Sequence, residues 1–128
     1  MKEAFYQSYC TPLNIEITSP YLTTLANAFT YTTCIEKVKI NTNICTNISS
    51  CFSESTFIRN IELSSLDAVT SSSSAFSSAY SLKYCIIRTM NKTPTLNSGA
   101  FSKSFCKEEG AGIYVPDNMV ETLKTATN

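Results

Sequence analysis

Six cysteines are the residues of this chain with the most obvious chemistry. They are even in number and spread along the whole chain, as a disulfide framework requires. Structural zinc sites use closely spaced cysteine pairs or cysteine with histidine, and the sequence has neither. The sequence therefore predicts no metal site and three disulfides in an extracellular or other oxidising compartment, formed by Cys10, Cys34, Cys45, Cys51, Cys85 and Cys106. The alternative is six free buried thiols that act as small apolar side chains.

The spacing of the cysteines favours one particular bridge. On a single helix, Cys45 and Cys51 would point about 120° apart and would not pair. Cys34 and Cys51 lie at comparable distances from a break near residues 41–43, where two antiparallel helices would join. We therefore predict a Cys34–Cys51 bridge, while the order of the other two bridges stays open.

Catalytic groups are scarce. The chain has no histidine, which excludes Ser-His-Asp triads and Cys-His dyads, and it has no glycine-rich phosphate loop. A pair of carboxylates could still act as acid and base, but no local pattern selects two from Glu16, Glu36, Glu54, Glu62 and Asp67. The sequence therefore predicts a protein that is not an enzyme and that has no cofactor.

Charge and hydropathy narrow the range of partners. Ten basic and ten acidic residues cancel and are scattered, so we expect no nucleic-acid binding. No apolar run is long enough for a transmembrane helix, and none near Met1 resembles a secretory signal. Either the chain is a mature form with an added start Met, or it is cytosolic and reduced, and the number of cysteines favours the first alternative. Two Asn-x-Ser/Thr sequences are candidate glycosylation sites, at Asn47 and Asn91.

The distribution of glycine and proline favours helices. Residues 21–93 contain neither, whereas a β-sandwich or barrel would need several tight turns there. Apolar residues recur at steps of three and four over 20–40 and over 64–90, and Pro116 could begin a last helix. We therefore predict a mostly α fold, a small disulfide-stapled helical bundle that forms a single domain over 1–128.

Other patterns point to strands and keep an alternative open. Leu13, Ile15 and Ile17 alternate with polar residues, and so do Tyr80, Leu82 and Tyr84. Serine and threonine are abundant and are poor helix formers. The alternative is an all-β or α+β disulfide-rich domain. No internal repeat is evident.

Three functions fit these features. The first is a non-enzymatic secreted or surface-exposed binding module that recognises another macromolecule, as a toxin, effector, pheromone or surface protein does. The second is a carrier of a small apolar ligand between helices, with Phe76, Tyr80 and Tyr84 as candidate pocket residues, although core packing is the simpler interpretation of that face. The third is a structural subunit of an extracellular assembly. We expect a protein partner or self-assembly.

Overall fold

The chain forms a parallel β-solenoid in the computed structural model, which describes residues 1–9, 12–97 and 99–121. Each connection leads from the end of one strand back to the start of the next, so that neighbouring strands run parallel. A short 3₁₀ helix, Asp117–Met119, follows the sheet. The strands pair in chain order and are β1 (Leu13–Thr18), β2 (Ile35–Asn41), β3 (Asn60–Ser65), β4 (Tyr84–Thr89) and β5 (Gly112–Tyr114).

The connections repeat one backbone pattern, centred on phenylalanines that recur every 23 to 25 residues. We call the segments around them repeats 1 to 5, centred on Phe5, Phe29, Phe52, Phe76 and Phe101. In every repeat the residue two before the phenylalanine and the residue two after it have left-handed φ angles, between 51° and 76°. The structure therefore contains an internal repeat, and the expectation of none is wrong.

Backbone hydrogen bonds join the repeats outside the sheet as well. The amide of Phe29 donates to the carbonyl of Cys51 at 2.8 Å, and the amide of Phe52 donates to that of Ala75 at 2.7 Å. The same bond recurs from Phe76 to Ala100 at 2.7 Å. Each repeat thus satisfies its backbone groups by pairing with its neighbour, as a stacked solenoid requires.

The core is a column of phenylalanine rings that runs along the solenoid. Consecutive rings from Phe5 to Phe101 stack with centroids 4.6 to 5.5 Å apart, and their planes lie within 14° of parallel. The sheet covers one side of this column with aliphatic residues such as Val38, Ile61 and Ile87, each at most 3% exposed. Burial of this apolar surface is the main force that holds the repeats together.

The predicted helical bundle is wrong. The described residues form strands and turns, and their longest helix is the 3₁₀ helix Asp117–Met119. The helix predicted over 20–40 is a series of β-turns followed by β2, and the helix predicted over 64–90 includes the turns of repeat 4 and β4. A helical turn does begin at Asp117, where the last helix was predicted. Leu123, which that helix would carry, lies outside the described residues.

The turns explain why the sequence resembled helices. In a β-turn the amide of one residue bonds to the carbonyl three residues earlier, as between Ala28 and Leu25 and between Thr32 and Phe29. Successive turns therefore bring every third or fourth residue to the core, which is also the spacing of a helix face. Left-handed positions in these turns are filled by residues such as Asn27 and Ser74 instead of glycine.

The predicted framework of three disulfides is also wrong. Cys45, Cys51, Cys85 and Cys106 are free thiols, so a Cys34–Cys51 bridge does not form. Cys10 lies outside the described residues, and Cys34 is buried next to the first residue of β2. Cys51 occupies the position that Ala28 and Ala75 occupy in neighbouring repeats, where the core needs a small apolar side chain and cysteine serves as one.

Candidate binding surface

The solvent side of the sheet, which we call the outer face, carries two rows of side chains set by the strand register. Along β2, β3 and β4 these residues alternate with buried ones, since successive side chains point to opposite sides of a sheet. All of them are half-buried or exposed. The first row is Glu16, Lys39, Glu62, Ile86 and Tyr114, and the second is Asn14, Lys37, Asn60, Tyr84 and Gly112.

Ion pairs between strands neutralise much of the charge on the outer face. The ammonium of Lys39 lies 2.9 Å from the Glu16 carboxylate, and the guanidinium of Arg88 lies 3.0 Å from that of Glu62. The hydrogen bond from Lys39 lowers the pKa of Glu16, and the bond from Arg88 lowers the pKa of Glu62. Both acids are therefore held in the ionised form and paired with a cation.

A cluster of cations and tyrosines occupies the end of the face near β5. Glu108 binds the guanidinium of Arg59 at 2.8 Å and the ammonium of Lys83 at 2.9 Å, and these bonds lower its pKa. The same ammonium lies 5.3 Å above the centre of the Tyr84 ring. That ring meets the Tyr114 ring edge to face, with centroids 5.7 Å apart.

We call Lys83, Tyr84, Ile86 and Tyr114 the tyrosine patch. Ile86 and Tyr114 are direct partners in the strand register, and Tyr114 is 45% exposed. Sequence reasoning identified only Tyr84 of this group. Alignment of the repeats on their phenylalanines would have placed β4 beside β5 and so brought the four residues together.

The carboxylates considered for catalysis lie in separate environments. Glu16 and Glu62 are in the same row of the outer face but are separated by β2, so they are about 10 Å apart by the usual strand spacing. Asp67 instead accepts hydrogen bonds from the backbone of Asn91 at 2.8 Å and from its side-chain amide at 2.6 Å. Glu36 and Glu54 are exposed. Among the described residues there is no group of three potential metal ligands.

The three candidate pocket residues do not share one surface. Phe76 is fully buried in the ring column, Tyr80 is 51% exposed, and Tyr84 lies on the outer face. A cavity in the core between Leu25, Leu63 and Val69 has a volume of about 10 Å³. A space of that size holds about one water molecule, so it does not favour a carrier of apolar ligands.

The two candidate glycosylation sites differ in accessibility. Asn47 is half-buried, and its backbone bridges repeats through pairing with Thr24 and Ser71. Its side-chain oxygen accepts the amide of Ser49 at 2.9 Å. Asn91 is exposed beside Asp67. Glycosylation stays a prediction at both positions.

The free thiols should differ sharply in reactivity. Burial raises the pKa of Cys51 well above its usual range and that of Cys85 to about 12, whereas Cys106 is only half-buried. Because the thiolate is the reactive form, iodoacetamide at neutral pH should alkylate Cys106 in the folded protein and reach Cys51 and Cys85 only after denaturation. Peptide mapping by mass spectrometry tests this prediction, and rapid labelling of Cys85 under native conditions would contradict it.

Over the residues that the structure describes, the protein is a parallel β-solenoid of five repeats whose outer face carries paired charges and a tyrosine patch. Comparison of the chain with protein-family models, curated proteins and solved structures gives no match. Within the described residues, none of the helices has the length and apolar character needed to cross a membrane.

Proposed function

We propose that the protein is a non-enzymatic binding module that recognises a protein partner through the outer face of its sheet. The tyrosine patch is the observation that carries this proposal. Its two rings are held edge to face and the Tyr84 ring lies below Lys83, but nothing in the described residues covers the exposed side of Tyr114. Tyrosines that combine apolar area with a polar tip are enriched among the residues that dominate binding energy at protein interfaces.

The charges of the outer face favour a protein over a polyanion. Lys39 and Arg88 are each paired with a glutamate of a neighbouring strand, and Glu108 neutralises Arg59 and Lys83 in part. A phosphate backbone or an anionic membrane would have to displace these carboxylates or lie against them. A protein surface of mixed charge can match such alternating signs instead.

The secreted or surface location stays a prediction, since four of the six cysteines are free thiols and the framework of three disulfides that motivated it cannot form. The proposed recognition does not depend on the compartment. It depends on Tyr84 and Tyr114, which the register of β4 and β5 places side by side without any disulfide.

Site-specific photocrosslinking tests the proposal. A benzophenone amino acid replaces Tyr114 in the protein made in its own cells, and a matched control carries it at Tyr21, which is 86% exposed but lies outside the sheet. We expect one protein to crosslink at position 114 and not at position 21. That protein, once purified, should bind the wild-type chain about tenfold more tightly than it binds Tyr114→Ser, a loss of the size expected for one aromatic anchor.

Two results would overturn the proposal. One is equal crosslinking at positions 114 and 21, which would show that the patch has no specific partner. The other is a crosslink from position 114 to a second copy of the chain, which would replace recognition of another protein by self-assembly. Circular dichroism of Tyr114→Ser checks that any loss of binding is not a loss of folding.

A further inference from the structure

An open polar groove lies away from the sheet, on the turns of repeats 1 to 3. Its volume is about 470 Å³, which is enough for a mono- or disaccharide-sized ligand. None of its side chains is aliphatic or cationic, and five of them carry a hydroxyl. The lining residues are Glu3, Tyr6, Asn27, Thr30, Tyr31, Ser50 and Ser53.

The larger side chains of the groove are not needed to build the repeat. Tyr6 lies one residue after its phenylalanine, and the same position is Ser53, Ser77 and Ser102 in repeats 3 to 5. Glu3 lies two residues before its phenylalanine, where repeat 5 has Gly99. All these positions share the same turn geometry, so serine or glycine is sufficient for the fold.

Tyr31 is unfavourable in its position for two reasons. Its φ is 58°, a left-handed angle that is costly for a bulky side chain, and its ring is 42% exposed, so core packing does not compensate for that cost. The equivalent residue of repeat 4 is Ser78, with φ 59°. A side chain that helps neither the backbone nor the core is a candidate for binding.

Tyr6 and Tyr31 form an aromatic corner at the groove. Their rings meet edge to face with centroids 5.9 Å apart and an interplanar angle of 86°, and Tyr6 is 45% exposed. One ring therefore holds the other in position while both keep exposed area. The groove combines this corner with the amide of Asn27 and the carboxylate of Glu3, planar groups that can each make two hydrogen bonds.

We propose that this groove binds a neutral saccharide. A pyranose ring offers an apolar C–H face, which suits an exposed aromatic ring, and a rim of hydroxyls, which suits amide, carboxylate and hydroxyl partners. The groove has no cation to attract an anion, and the single carboxylate of Glu3 has the ammonium of Lys2 3.7 Å away. With no aliphatic side chain in the lining, the groove does not suit a purely apolar ligand.

Ligand-observed NMR tests this inference with methyl glycosides of glucose, galactose, mannose and N-acetylglucosamine, each added alone. We expect saturation transfer to at least one of them, with a dissociation constant of about 1 mM, as befits a small ligand in an open groove. Tyr6→Ser and Tyr31→Ser, which copy the residues of other repeats, should each weaken that binding about tenfold or more.

The control variant is Tyr80→Ser, which removes another exposed tyrosine outside the groove and should leave sugar binding unchanged. Thermal unfolding of all three variants shows whether the fold is retained. The inference is overturned if no glycoside shows transfer, if Tyr80→Ser weakens binding as much as Tyr31→Ser does, or if tetramethylammonium binds the groove in place of the sugars. Tyr114→Ser should bind sugar normally, so this test is independent of the proposed protein recognition.

Discussion

Replacement of Phe76 by alanine is expected to lower the free energy of unfolding by about 3–5 kcal/mol. Phe76 is fully buried, and its ring stacks on Phe52 at 5.5 Å and on Phe101 at 4.6 Å. Its removal deletes the contacts on both sides of one level of the core and leaves a cavity there. Urea unfolding followed by circular dichroism measures the loss.

The control for this prediction is Phe57→Ala, because Phe57 is 42% exposed and lies outside the ring column. We expect a change of no more than about 0.5 kcal/mol for it. If Phe76→Ala does not fold at all, Phe76→Leu retains most of the volume and should lose only about 1 kcal/mol. Similar losses for Phe57→Ala and Phe76→Ala would show that the column does not carry the stability of the solenoid.

The solenoid fold also predicts which strands lose stability when Phe76 is replaced by alanine. Each repeat contacts only its neighbours, so damage in repeat 4 should separate the column into the part with Phe29 and Phe52 and the part with Phe101. Amide hydrogen exchange should therefore speed up most in β4 and β5 and less in β2. A uniform increase across all strands would show that the repeats unfold as one unit.

The sequence allowed the strands to be predicted only where side chains alternate without interruption. Leu13, Ile15 and Ile17 do so, and β1 is present there. In β2 the alternation is interrupted, because Glu36 and Lys37 are both exposed, and in β3 it is regular. In the sequence both strands directly follow turn residues that reach the core at steps of three. Apolar residues then recur every three positions in the turns and every two in the strand that follows, and the combined pattern resembles one face of a helix.

The repeat leaves only a weak signal in the sequence. Phe5, Phe29, Phe52 and Phe76 recur regularly, yet the residues around them are mostly serine, threonine and alanine, whose small side chains the tight turns accept in many combinations. The absence of glycine over 21–93 does not exclude tight turns, because Asn27 and Ser50 adopt the left-handed angles that glycine usually provides. A period of 20–50 residues is the sequence signature of a solenoid, and in this chain the phenylalanines carry it.

The candidate surfaces depended on that fold. The sequence suggests Tyr84 as a pocket residue, but its neighbour Tyr114 is far away in the chain and reaches it only through the register of β4 and β5. Tyr6 and Tyr31 meet for the same reason, since they belong to successive repeats. Contacts between repeats are set by the period, so no local motif could have revealed them.

Alkaline pH is expected to destabilise the protein through its buried thiols, and Cys85 offers the clearest case. Burial raises its pKa from 9.0 to about 12. Below pH 9 the thiol is protonated in both the folded and the unfolded chain, so its contribution does not change with pH. Between pH 9 and 12 only the unfolded chain releases the proton, so stability is lost at about 1.4 kcal/mol per pH unit, or about 4 kcal/mol in total.

Cys85→Val isolates this contribution, because valine is an apolar side chain that fits a buried strand position and cannot ionise. The pKa values of Cys45 and Cys51 are raised too, so the variant should still lose stability in base. Between pH 8.5 and 10.5, however, its free energy of unfolding should rise by about 2 kcal/mol relative to the wild type. Urea unfolding of both proteins in the same reductant gives this difference. Parallel pH profiles would show that Cys85 titrates near its usual pKa, which would mean that water reaches the inner side of β4.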